Sequence, residues 1–74
     1  MEISAEKILQ RAVDAHSEGN LQDAERLYRE ILQSQPTHPD ANYNLGVLAV
    51  SLNKTDEALP LFKTALEANP EMDQ

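Results

Sequence analysis

Few side chains in this sequence could do covalent chemistry, and their spacing does not gather them. There is no cysteine, so neither a thiolate nucleophile nor a thiolate metal site can be built. The two histidines, His16 and His38, stand 22 residues apart, which is not a metal-ligand spacing. No phosphate-cradling glycine loop occurs, and no Ser/His/Asp set converges from spacing. The carboxylates scatter along what read as solvent faces. His16 reads as a rim residue and His38 as a loop or capping residue, neither as a catalyst. The chain is expected to be no enzyme, with no catalytic residue, metal or cofactor. What remains is recognition chemistry. Tyr43 offers contact area and a hydroxyl at low entropic cost. Asn44 beside it offers an amide donor and acceptor. The competing readings are a tyrosine packed on a neighbouring helix and a solvated asparagine.

The elements that must carry these residues are helices. Ser4 is a candidate N-cap, and Ile8, Leu9, Ala12, Val13, Ala15 and His16 then follow helical spacing until Gly19, giving a first helix over roughly 5 to 18. Asn20 is expected to cap a second helix whose apolar face is Ala24, Leu27, Tyr28, Ile31 and Leu32, stopped by Pro36. On its polar face Glu25–Arg29 and Arg26–Glu30 are four apart and can pair. Pro39 opens a third helix, where its missing N–H costs nothing, and Asn53 ends it in the place of Gly19. Thr55 is expected to cap a fourth helix, with Leu59, Leu61, Phe62, Ala65 and Leu66 as its apolar face. Pro60, about one turn inside, reads as a tolerated first-turn proline. Asn69-Pro70 closes that helix as Gln35-Pro36 closed the second, and Glu71 to Gln74 is too short for an element.

A repeat organises the whole. Ala24-x3-Tyr28-x2-Ile31-Leu32-x3-Pro36 returns 34 residues later as Ala58-x3-Phe62-x2-Ala65-Leu66-x3-Pro70. At the same offset Val13 meets Val47, Ala15 meets Ala49 and Leu27 meets Leu61. Four helices with short loops run as antiparallel neighbours. The fold class is therefore all-α, two antiparallel helix-turn-helix units stacked in one domain over 1–74, the first unit about 5–38 and the second about 39–72.

This pattern resembles the tetratricopeptide repeat (TPR) family. Leu45-Gly46, Ala58, Phe62, Ala65 and Pro70 match its positions in the second unit, and Ala12, Gly19, Ala24, Tyr28 and Pro36 in the first. Arg11 stands where leucine is usual, Ile31 where alanine is usual, and Ile8 and Asn42 where the early tryptophan would be. The resemblance implies a short right-handed solenoid whose first helices line a concave groove for peptides or proteins. By position the groove would hold Leu9, Val13 and His16 from the first unit and Asp40, Tyr43, Asn44, Val47 and Val50 from the second, with Glu6, Gln10, Ser17 and Ser51 beside them. Repeats that clamp the carboxylate end of chaperones need lysines and asparagines there. Leu9, Val13 and Asp40 depart from that set and only Asn44 agrees. The run Pro39-Asp40-Ala41-Asn42-Tyr43-Asn44-Leu45-Gly46 is also similar to the repeats that precede O-linked N-acetylglucosamine transferases and related bacterial glycosyltransferases.

Charge limits the partners. Six basic and thirteen acidic residues give a net charge of −7, which disfavours nucleic acid and anionic membrane. No stretch reads as a membrane span or signal-peptide core, and Met1 to Ser4 holds no basic region, so a soluble, cytoplasmic chain is expected. The expected function is non-enzymatic binding of a protein or peptide in the groove. The alternatives are the substrate-recruiting part of a larger glycosyltransferase and a self-assembly unit. Two repeats are few for a stack, so the end helices, with Leu59, Phe62 and Leu66, imply either a longer repeat protein or a homo-oligomer.

Overall fold

The computed structural model describes residues 4–73, so the readings made for Met1 to Ile3 and for Gln74 lie outside the described residues. Four α-helices follow one another: α1 Ala5–Ser17, α2 Leu21–Ser34, α3 Pro39–Ser51 and α4 Thr55–Ala68. They pack in pairs, α1 with α2 and α3 with α4. The pairs are joined mainly where α2 meets α3, with a narrower contact between α1 and α3. The fold is all-α, as the periodicity requires. A short 3-10 turn, η1 Pro70–Asp73, follows and packs on α4. The tail expected to form no element thus forms one, because the Asn69 side-chain oxygen accepts from the Glu71 N–H at 3.2 Å.

Small residues set the helix spacing. Ala12, Ala24, Ala41 and Ala58 are fully buried, and their short side chains let helix axes approach. Large residues fill the space so created. Tyr28, Ile31, Leu45 and Leu48 are the largest fully buried side chains, each contributing roughly 1.5–3 kcal/mol on burial. Ala12, Ala24, Tyr28, Leu45 and Leu48 form one cluster that draws on both helix pairs. Burial raises the Tyr28 phenol above its ordinary value, since a phenolate there would lose its water.

Gly46 and Phe62 show the closest approach. A Cβ at Gly46 would fall 2.6 Å from Cε1 of the Phe62 ring, so the ring occupies the room glycine leaves. The first pair meets the same demand with Ala12, fully buried, beside a buried Tyr28.

The turns follow local rules. Gly19 has φ +85° and Asn53 φ +61°, the left-handed conformation that ends α1 and α3. Gln35 and Asn69, each before a proline, adopt nearly the same non-helical conformation (φ −134°, ψ 76° and φ −145°, ψ 87°). The Ser4 hydroxyl accepts from the Lys7 N–H at 3.3 Å and caps α1.

Four local readings need correction. Thr55 is not the cap of α4. The Lys54 carbonyl accepts from Glu57 and Ala58, so Thr55 is already helical, and the lysine at the cap position has no side-chain acceptor to offer. Asn20 does hold the cap position of α2, but only its carbonyl is used. Pro60 lies inside α4, beyond the first turn, so the Asp56 carbonyl loses the donor it would have in a regular helix. Of the two ion pairs expected on α2, the described residues form Glu25–Arg29, at 3.0 Å; Arg26–Glu30 does not form, and Arg29 reaches across to Glu57 of α4 at 3.3 Å instead.

Candidate functional site

The candidate recognition residues lie on α1 and α3, the two first helices of the pairs. α3 is apolar nearly all round because two sides of it are covered. Ala41, Asn42, Leu45, Gly46, Leu48 and Ala49 are buried against α2 and α4. Asp40, Tyr43, Asn44, Val47, Val50 and Ser51 fall on the remaining side, spaced three and four apart. Tyr43 is 45% exposed and Val50 48%, with Val47 half-buried between them. Asp40 is exposed one turn before Tyr43, and Asn44 is half-buried. On α1, Val13 is exposed while Leu9 and His16 are half-buried, and Leu9 packs partly on the central cluster. The direct contact of α1 with α3 makes the two sets neighbours.

Tyr43 is braced as well as exposed. Its ring lies 5.7 Å from that of Phe62, tilted by 48°, so the reading of a tyrosine packed on a neighbouring helix holds. The ring packs on Phe62 of α4, and nearly half of the residue faces solvent.

His38 and Asn42 turn out to be structural. His38 is the N-cap of α3, its Nδ1 accepting from the Ala41 N–H at 3.1 Å. The Asn42 amide donates to the Pro36 carbonyl at 3.1 Å and to the His38 carbonyl at 2.9 Å. Only 3% of Asn42 is exposed, so it does not belong to the open face of α3. Its position in the sequence, where the early tryptophan would stand, was the one signal that it faces inward.

Among the described residues no three His, Cys, Asp or Glu side chains are placed to hold a metal ion. Shallow depressions lie along α2, lined by Glu25, Arg26, Arg29 and Glu30, and between the start of α1 and the end of α2, beside Ile8, Ile31 and Ser34. Sequence reasoning singled out neither, since each is the surface relief of packed helices. None of the described helices is long and apolar enough to cross a membrane.

The sequence profile of a family described as tetratricopeptide repeat matches residues 15–74. The chain belongs to that family. The match covers α2, α3, α4 and the last turn of α1, so the helix pairs are TPR helix-turn-helix units. A TPR unit is generally a protein-interaction element, and by itself typically non-catalytic. No match is found among curated proteins.

Proposed function

We propose that the open face of α1 and α3 binds an extended or helical segment of another protein. On this reading the units run about 5–38 and 39–72, and the chain works in the cytoplasm as a non-catalytic TPR module. The observation that carries it is Tyr43. An aromatic ring held in place by Phe62 yet 45% exposed loses little entropy when a partner covers it. Val47 and Val50 extend the apolar strip, Leu9, Val13 and His16 continue it on α1, and Asp40 with Asn44 offers polar contacts beside the ring. The fitting partner carries apolar side chains and a basic rather than acidic flank, since Asp40 stands beside the strip on a chain of net charge −7.

The test is a screen of a peptide display library, followed by titration of the selected peptides against the wild type and two variants. Tyr43→Ala is expected to weaken the selected peptides by at least ~1–2 kcal/mol, and Asn44→Ala to weaken those that use the amide. If neither substitution weakens any selected peptide, the face is not the binding site. The narrower reading, a recruiting segment of a glycosyltransferase, rests on the resemblance of residues 39–46. It requires that selected peptides lose backbone hydrogen bonds, rather than side-chain specificity, in Asn44→Ala.

A further inference from the structure

The large apolar side chains left exposed are unevenly placed. They are Val13, Tyr43, Val50, Leu59 and Leu66. All but Val13 belong to the second helix pair, and each of those four has a counterpart 34 residues earlier that is less exposed: Leu9, His16, Glu25 and Leu32. Phe62 follows the same rule, half-buried where Tyr28 is 1% exposed. In the first pair Leu9 and Leu32 pack on the cluster that α3 completes, and Glu25 is shielded by Arg29 of its own helix. In the second pair Leu59 is 63% and Leu66 40% exposed, even with η1 packed on α4.

The opposite end of the molecule is chemically different. α3 covers α2 with Ala41, Leu45 and Leu48, all buried. At the matching places on α1 stand Lys7, Arg11 and Asp14, all exposed. A copy stacking head to tail would have to bury these three charges where α3 buries an alanine and two leucines, and the loss of hydration opposes that.

We propose that the second helix pair is a self-docking surface, and that two copies join tail to tail, α4 against α4, across a two-fold axis. The spacing of the α4 stripe favours a copy of itself. Leu59, Phe62 and Leu66 are three and then four apart, the interval of a helix seam. When the helix is reversed about a point between Phe62 and Lys63, Leu59 of one copy falls opposite Leu66 of the other, while each Phe62 ring stays turned toward Gly46 and Tyr43 of its own copy. The contact is isologous and closes at two copies. It shares Tyr43 and Val50 with the proposed peptide face, so its test uses Leu59 and Leu66, which that face does not contain.

Sedimentation equilibrium of the chain from micromolar to millimolar concentration, at low and high salt, is the first measurement. The expected result is a monomer–dimer equilibrium that stops at two. It should strengthen with salt, because each copy carries −7. Leu59→Ser with Leu66→Ser is expected to weaken it at least about tenfold while helicity by circular dichroism is kept, both residues being exposed. Since the chain has no cysteine, Lys63→Cys should give a disulfide-linked dimer under mild oxidation and Glu18→Cys, on the polar end, should not. Three results would overturn the proposal: a strict monomer at every concentration, growth beyond two copies, or cross-linking through position 18 rather than 63.

Discussion

Asn42 is the residue on which sequence and structure part most clearly. Its amide fastens α3 to the turn before it, bridging the carbonyls of Pro36 and His38 in a place that is 3% exposed. Replacing it with alanine takes the donor from the Pro36 carbonyl, leaves the His38 carbonyl only the backbone N–H of residue 42 and opens a small void, so Asn42→Ala is expected to cost ~1–3 kcal/mol in urea denaturation. A loss within experimental error would show the carbonyls to be served by water. The sequence could not reveal this role. It shows a polar residue where a large apolar one is usual, and only the reversal of the chain at Pro36 brings the carbonyls within reach. His38 was easier, because a capping role needs only the three residues after it. Tyr43 was half legible: its spacing on α3 marked an outward side, while its contact with Phe62 depends on the room left by Gly46.

At the scale of helices, the ends were legible wherever one residue type is chemically forced. Gly19 and Asn53 stop their helices because few other residues adopt a positive φ. The start of α4 was not, because the N-cap rule favours an oxygen-bearing side chain and Thr55 has one where Lys54 has none. The repeat contains the answer, since Lys54 is the counterpart of Asn20, and both positions open their helices with the carbonyl alone. Pro60 is the remaining weak point of α4. It is exposed, so its ring contributes little packing, yet it removes one hydrogen bond within the helix. Pro60→Ala is therefore expected to stabilise the fold by ~1–3 kcal/mol, the lower part of the range if the start of α4 already frays. Thermal denaturation followed by circular dichroism checks it. A lower melting temperature would mean that the proline is needed to seat Leu61 and Phe62.

The whole molecule is short enough that its two helix pairs cannot be treated as separate folding units. A chain of this length buries a modest share of its surface and has only a few kcal/mol of net stability. Much of the core is held in common: the cluster of Ala12, Ala24, Tyr28, Leu45 and Leu48 takes residues from α1, α2 and α3 together. Leu48 has no exposed surface and belongs to that cluster from the second pair. Leu48→Ala should remove ~2–5 kcal/mol, comparable with the entire stability of the fold. The consequence is specific. If the pairs are coupled through this cluster, the substitution unfolds α1 and α2 as well as α3 and α4. Amide signals from Ala12 and Ala24 then vanish from the folded set together with those of Ala58 and Ala65. Val13→Ala, at an exposed position, should leave all of them in place with a change near ~0.5 kcal/mol. Were the Ala12 and Ala24 signals to survive Leu48→Ala, the first pair would be stable without the second, and the shared cluster would be a contact between two independent units rather than the core of one.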